Sequence, residues 1–117
     1  CPLTSETQGK FDSSAFLAMK DTAVLVNVTR GEVMVEADLV KALKEGTIAG
    51  AALDVAPREP LPADSDLWLL ENVVMSPHTA GASQFRASRN LDRFIRNLEH
   101  VRVGGVLEGV IDKDLGY

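Results

Sequence analysis

Three short runs of apolar, largely β-branched or small residues divide the 117-residue chain, at residues 23–28, 48–55 and 73–75. Each run is continuous and does not alternate with polar residues, which is typical of parallel strands covered on both faces. The runs therefore predict three buried strands of one parallel sheet.

Between and after these runs, apolar residues recur at helical spacing, which predicts helices over residues 12–20, 36–45 and 80–103. In the first helix, Phe16, Leu17 and Met19 are expected to form the apolar face. The last helix is expected to bury five large side chains: Phe85, Leu91, Phe94, Ile95 and Leu98. The tail should be irregular and pack through Val106, Leu107, Val110 and Ile111. The order α-β-α-β-β-α predicts an α/β fold with a parallel sheet and right-handed crossovers.

Composition and charge exclude several classes of function. The chain is 45% apolar and 25% charged, and it has no apolar run near the roughly 20 residues that span a bilayer. A formal net charge of -5 argues against nucleic acid as the main partner. The single cysteine, Cys1, excludes an internal disulfide and fits a reducing compartment. We therefore expect a cytoplasmic protein that acts on a small molecule, with no metal site.

Candidate chemistry follows each predicted strand. Asn-Val-Thr-Arg-Gly follows the first, Asp-Val-Ala-Pro-Arg-Glu-Pro the second and Ser-Pro-His-Thr-Ala-Gly the third. Open α/β sheets bind ligands outside the carboxyl ends of their strands, so we expect Arg30, Glu59 and His78 to lie near one another. This set suits hydride transfer to a 2-keto acid. An arginine clamps the substrate carboxylate, a histidine donates a proton to the ketone oxygen, and a glutamate holds that histidine protonated.

Each of these residues alone has a commonplace structural explanation. Arg30 would be a surface arginine, Glu59 a solvated loop charge and His78 a hydrogen-bonded structural histidine. Two details favour the catalytic interpretation: Gly31 directly follows the arginine, and Glu59 comes five residues after Asp54.

At these motifs the chain resembles the D-isomer-specific 2-hydroxyacid dehydrogenases, over nearly all of its length. The matching segments occur in the family's order: Cys-Pro-Leu-Thr with Thr7, Val-Thr-Arg-Gly, Ala-Ala-Leu-Asp-Val with Glu59-Pro60, and Pro-His with Gly81. Any one of these segments alone would be a weak match, whereas all of them together are specific.

The resemblance implies a catalytic triad. Arg30 would bind the substrate carboxylate and keto oxygen, His78 would be the general acid/base, and Glu59 would pair with His78. It also implies contacts to NAD or NADP. Asp54 would bind the nicotinamide carboxamide, and Gly81 would let the backbone approach the nicotinamide. The other implied cofactor-binding residues are Pro2, Leu3, Thr7, Val28 and Thr29, together with Arg30 and His78.

The sequence has no G-x-G-x-x-G phosphate-binding motif, which the family carries in the first half of its dinucleotide-binding domain. We therefore expect residues 1–103 to be the second half of a Rossmann-like domain, and residues 104–117 to be a tail that returns toward a substrate domain. A processed mature terminus is the alternative explanation of the start at Cys1. The resemblance further implies a homodimer formed through the cofactor domain, and we expect the 117 residues alone to be inactive.

Other functions stay open. A non-catalytic, NAD(H)-sensing corepressor-like relative would keep the same triad, although such proteins typically carry an aromatic residue soon after the histidine. A phosphite-type dehydrogenase of the same fold is also open. A formate dehydrogenase is disfavoured, because those members carry glutamine where Glu59 stands. The sequence does not distinguish glyoxylate, hydroxypyruvate, phosphoglycerate or lactate as substrate, nor NAD from NADP.

Overall fold

The structure is a computed structural model that describes residues 1–116. The chain divides into two compact units, Cys1–Ala80 and Gly81–Tyr117, and each is described by itself. The domain limit expected at residue 103 concerns a complete dinucleotide-binding domain and stays a prediction.

The first unit is built on a parallel sheet of three strands, β1 (Val24–Asn27), β2 (Gly50–Leu53) and β3 (Val73–Met75), in that spatial order. Asn27 pairs with Leu53, and Leu53 pairs with Met75, so the three strands end level with one another. The predicted open α/β fold with a parallel sheet is thereby confirmed. The level strand ends place the three following loops at one edge.

Two helices of the first unit, α1 (Ser13–Leu17) and α2 (Glu36–Lys44), pack with one face of the sheet. Their shared core contains the fully buried side chains of Phe16, Leu39, Ile48, Leu53 and Leu67. On the opposite face, Val24, Val26 and Val74 are 59%, 64% and 71% exposed. The continuous apolar runs predicted a sheet that is covered on both faces, and this prediction is wrong for the described residues. Successive side chains of a strand point to opposite faces of the sheet, and those that point away from the core are exposed.

Local sequence explains where α1 begins and where α2 ends. The Asp12 carboxylate accepts hydrogen bonds from the backbone N–H groups of Ser14 and Ala15, so Asp12 is the N-cap residue and α1 starts directly after it. Gly46 follows α2 with φ +68°, a left-handed conformation that glycine adopts without a steric penalty. The predicted burial of Leu17 is wrong: this side chain is exposed, since α1 ends after a single turn and only Phe16 faces the core.

The second unit contains the long helix α3 (Arg86–Val103), which begins later than the predicted residue 80. A short turn precedes it, in which the Ser83 hydroxyl accepts a hydrogen bond from the Phe85 N–H. The tail folds back on α3 through polar groups: Arg96 donates twice to the Glu108 carboxylate, and Asn97 exchanges two hydrogen bonds with the Glu108 backbone.

Apolar burial in this second unit was overestimated. The five side chains expected to face inward from the last helix are all at least 46% exposed: Phe85, Leu91, Phe94, Ile95 and Leu98. The apolar residues of the tail are exposed as well: Val106, Leu107, Val110 and Ile111. Helical spacing correctly identified the row of apolar side chains along the last helix. Spacing alone does not show whether another part of the protein packs against that row.

Candidate active site

The carboxyl edge of the sheet brings together the segments that follow β1, β2 and β3. Arg30, Glu59 and His78 all lie in the first unit: Nδ1 of His78 lies 2.7 Å from Oε2 of Glu59, and Arg30 is near enough for its positive charge to help lower the pKa of Glu59. The predicted meeting of these three side chains is thus what the strand register produces.

Asn27, the last residue of β1, organises the turn that carries Arg30. It is only 6% exposed, and its amide nitrogen donates to the Arg30 carbonyl (2.9 Å) and to the Met34 sulfur (3.7 Å). Its amide oxygen accepts from the N–H and the hydroxyl of Thr29, each at 3.1 Å. All four hydrogen-bonding positions of the amide are therefore used. This buried side chain fixes the backbone from Thr29 to Arg30.

Gly31 allows the arginine loop to approach the loop that carries Glu59. A Cβ atom added to Gly31 would lie 1.9 Å from the carbonyl carbon of Ala56 and 2.2 Å from the nitrogen of Pro57. Any larger residue would push these two backbones apart. The glycine after the arginine is therefore required by the close approach itself, which the sequence motif alone did not explain.

His78 and Glu59 form a hydrogen-bonded pair. The Nδ1 atom of His78 lies 2.7 Å from Oε2 of Glu59, and Oε1 of Glu59 accepts a hydrogen bond from the Ala56 N–H at 3.0 Å. The hydrogen bond with His78, followed by the one from Ala56, lowers the pKa of Glu59, and the positive charge of Arg30 adds to this effect. Glu59 is therefore held ionised and oriented, with its carboxylate on the imidazole.

Asp54 directly follows β2 and is buried, with 5% exposure. One carboxylate oxygen accepts from the Ser76 hydroxyl and from the Thr79 N–H (2.9 Å), and the other accepts from the Ala80 N–H (2.7 Å). The hydrogen bond from Ser76, followed by that from Ala80, lowers the pKa of Asp54. These donors compensate the burial of a charge.

An apolar cleft of about 400 Å³ opens beside the pair. Asp54, Glu59 and His78 supply its polar wall. Its apolar wall consists of Pro60, Leu61, Trp68, Met75 and Pro77. The Trp68 indole N–H donates to the Pro62 carbonyl at 2.8 Å, which fixes the ring at the rim. The cleft can therefore admit a small molecule next to the imidazole.

The remaining candidates divide between the two units. Pro2, Leu3 and Thr7 form a loop closed by a hydrogen bond from the Thr7 hydroxyl to the Pro2 carbonyl (2.7 Å). The residues after this loop are attached to the segment that follows Arg30 in the chain. The Gly9 N–H donates to the Glu32 carbonyl, and the Phe11 N–H donates to the Val33 carbonyl. Val28 and Thr29 lie at the end of β1. Gly81 belongs to the second unit, and its proposed cofactor role stays a prediction.

Asn27 and Ser76 were not singled out as site residues by the sequence. The available signal was the position of each: a polar residue directly at the carboxyl end of a predicted strand. Within residues 1–116, no group of three or more histidine, cysteine or acidic side chains is arranged to hold a metal ion. Across the same residues, no helix is both long and apolar enough to cross a membrane.

Comparison with known proteins identifies the family. Residues 1–80 match the D-isomer specific 2-hydroxyacid dehydrogenase, NAD binding domain. A glyoxylate reductase of Korarchaeum cryptofilum is 43% identical over 97% of this chain and 34% of its own length. A glyoxylate/hydroxypyruvate reductase A of Citrobacter koseri is 38% identical over 99% of this chain and 36% of its own length.

Among solved structures, the NADPH-dependent glyoxylate/hydroxypyruvate reductase of Sinorhizobium meliloti, in complex with NADP and sulfate, superposes with a TM-score of 0.89 at 36% identity. That match covers 100% of this chain and 38% of the other. The chain thus spans about a third of the length of the curated relatives it matches. The family match, the relatives and the fold agree, and the chain belongs to the D-isomer-specific 2-hydroxyacid dehydrogenase family.

Proposed function

We propose that this protein is an NAD(P)-dependent oxidoreductase that reduces a small 2-keto acid, such as glyoxylate or hydroxypyruvate, to the D-2-hydroxy acid. The observation that carries the proposal is the contact of 2.7 Å between His78 Nδ1 and Glu59 Oε2 at the sheet edge that also carries Arg30. An acid, its orienting carboxylate and an exposed guanidinium, of which Nη1 donates to the Thr29 carbonyl at 2.8 Å, are the groups that keto-acid reduction requires.

In this proposal, Arg30, His78 and Glu59 divide the work between them. The guanidinium of Arg30 binds the substrate carboxylate through two hydrogen bonds and polarises the keto oxygen. Because Nδ1 of His78 is occupied by Glu59, the proton passes from Nε2 to that oxygen. Glu59 holds the imidazole in the orientation that this transfer needs.

The residues at the strand ends fit the nicotinamide end of a dinucleotide. Asp54 Oδ2 accepts only the Ala80 N–H among the described residues, which leaves an acceptor position for a carboxamide NH₂. When bound, the reduced nicotinamide supplies the hydride. Pro2, Leu3, Thr7, Val28, Thr29 and Gly81 are the further contacts that we propose. The family includes members solved with NADP and with NAD, and we make no choice between the two.

We propose a cytoplasmic homodimer, in which the family resemblance supports pairing through the cofactor domain and the single cysteine supports a reducing compartment. We also propose that the 117 residues alone do not turn over substrate. The sequence lacks the G-x-G-x-x-G motif, whose backbone N–H groups and helix terminus would bind the pyrophosphate.

The test is a comparison of the 117-residue chain with the product of the complete reading frame, each verified by intact mass. Oxidation of NADH and of NADPH is followed with glyoxylate, hydroxypyruvate, 3-phosphohydroxypyruvate and pyruvate, and NAD(P) reduction with phosphite. We expect keto-acid reduction by the complete product only. Cofactor binding without turnover of any substrate would instead indicate the NAD(H)-sensing alternative, and turnover of phosphite alone would indicate the phosphite-type alternative.

A further inference from the structure

The loop that carries His78 has an unusual backbone. His78 has φ +52°, in the left-handed region that residues with a side chain rarely adopt. Its N–H donates to the Ser76 carbonyl at 3.0 Å, which closes a tight turn around Pro77. Such a conformation persists only where the surroundings over-determine it.

Those surroundings come from Asp54, at the end of the neighbouring strand. Its carboxylate accepts one hydrogen bond from before the histidine, at Ser76, and two from after it, at Thr79 and Ala80. The Ser76 N–H in turn donates to the Leu53 carbonyl at 3.0 Å, which anchors the start of the loop to β2. One buried group therefore holds the backbone on both sides of His78.

We propose that Asp54 and Ser76 are positioning residues, which clamp the loop of residues 76–80 so that the His78 imidazole meets Glu59. This inference rests on the proposed function for its kinetic test. It adds to the nicotinamide contact that the family resemblance implies for Asp54, because the clamp consists only of hydrogen bonds within this chain. Glu59 cannot replace it, since Glu59 contacts the imidazole and the Ala56 N–H.

The chemistry of the clamp predicts which substitution breaks it. In Asp54→Asn, only one of the two terminal atoms can accept hydrogen bonds, and the NH₂ group meets either the Ala80 N–H or the donors Ser76 and Thr79. A donor thus faces a donor in either orientation of the amide. In Ser76→Ala, one of the three donors is lost, whereas Ser76→Thr retains the hydroxyl.

A matched control exists in the same unit. Asp12 also accepts from two backbone N–H groups and a serine hydroxyl, those of Ser14 and Ala15, but it caps α1. All three donors bind one oxygen, Oδ1, which the amide oxygen of an asparagine would replace, so the control is Asp12→Ala, which removes the acceptor and disturbs a hydrogen-bonded cluster at a helix end. It should lower thermal stability and leave kcat unchanged.

The experiment uses the product of the complete reading frame and the four variants Asp54→Asn, Ser76→Ala, Ser76→Thr and Asp12→Ala. It measures kcat, KM for glyoxylate, KM for NAD(P)H, and amide hydrogen exchange of the peptide that contains residues 76–81. We expect kcat to fall at least about 10-fold in Asp54→Asn and several-fold in Ser76→Ala, as for lost hydrogen bonds to a charged group. KM for glyoxylate should change less than about threefold. Exchange should accelerate in both variants, and Ser76→Thr should restore wild-type values.

Two results would overturn the clamp. In one, Ser76→Ala keeps wild-type kcat and exchange, and Asp54→Asn changes only KM for NAD(P)H, which would leave Asp54 as a cofactor contact alone. In the other, Asp12→Ala lowers kcat as much as Asp54→Asn does, which would indicate general destabilisation. If the wild-type protein reduces no keto acid, the proposed function fails, while exchange of residues 76–81 still decides the clamp.

Discussion

The Nδ1 atom of His78 and the Oε2 atom of Glu59 lie 2.7 Å apart, although 19 residues separate them in the chain. Both side chains are partly exposed, 46% for His78 and 37% for Glu59, so solvent screens the attraction between them. The value of the pair therefore lies in orientation and protonation at the site more than in stability.

Glu59→Gln should shift the pH profile of keto-acid reduction. The hydrogen bond with His78 lowers the pKa of Glu59 from its ordinary 4.5. What the ionised pair contributes to the stability of the folded protein is therefore fully present above pH 4.5, and it is lost as the pH falls through the lowered pKa. Above the lowered pKa, the ionised carboxylate of Glu59 orients the His78 imidazole, whereas the amide of a glutamine does not ionise. We therefore expect kcat/KM for reduction to be lower in Glu59→Gln than in the wild type near neutral pH, and we expect the decline that the wild type shows as the pH falls through the Glu59 pKa to be absent in the variant.

The measurement is kcat/KM for glyoxylate against pH in the wild type, in Glu59→Gln and in Glu71→Gln. Glu71 is an exposed glutamate just before β3 and serves as the control for loss of one negative charge. Superimposable profiles for all three proteins would mean that the ionised Glu59 carboxylate plays no part in the reaction.

His78→Ala should lower kcat by about 10²–10⁴-fold, the usual contribution of general acid catalysis. Because His78 is half exposed, the substitution should leave the melting temperature close to that of the wild type. Steady-state kinetics with glyoxylate and thermal unfolding check both expectations. His100→Ala, which removes the other histidine of the chain, should keep kcat. Near-normal turnover in His78→Ala would remove this residue from the mechanism.

Arg30→Lys should raise KM for the keto acid more than it lowers kcat. Lysine is a point charge and does not reproduce the planar, two-point contact of a guanidinium with a carboxylate. The exposed Arg58 lies in the neighbouring loop, so Arg58→Lys is the matched control and should leave KM unchanged. Because both substitutions keep the positive charge, an unchanged KM in Arg30→Lys would argue that charge alone binds the substrate and that no two-point clamp exists.

Gly31→Ala should both destabilise the protein and impair the site, since the added methyl group would lie 1.9 Å from the Ala56 backbone. Overpacking of this kind costs about 1–3 kcal/mol. We expect a lower melting temperature together with reduced kcat/KM, measured on the same preparation. Gly105→Ala is the control, because its added Cβ would lie 3.5 Å from its nearest neighbours. A fully active Gly31→Ala variant would show that the two loops can separate without consequence.

Much of the site was predictable from the sequence, because parallel strands end at one edge and each catalytic candidate follows a strand. Arg30, Glu59 and His78 were identified in this way. The cap at Asp12 and the left-handed Gly46 follow from local chemistry in the same sense, since each depends on residues within one helical turn.

Only the tertiary structure decided which residues hold the site in place and which apolar faces of the protein are buried. Asp54 meets Ser76, Thr79 and Ala80 across 22 to 26 residues of intervening chain, and no local pattern encodes that distance. The close approach of Gly31 to Ala56 is likewise a contact between two loops. Periodicity identified the apolar faces of the sheet and of α3, but whether a face is buried depends on what packs against it. The sequence therefore determined which residues carry the chemistry and where each strand ends, whereas three-dimensional packing determined how those residues are held and which apolar faces are covered.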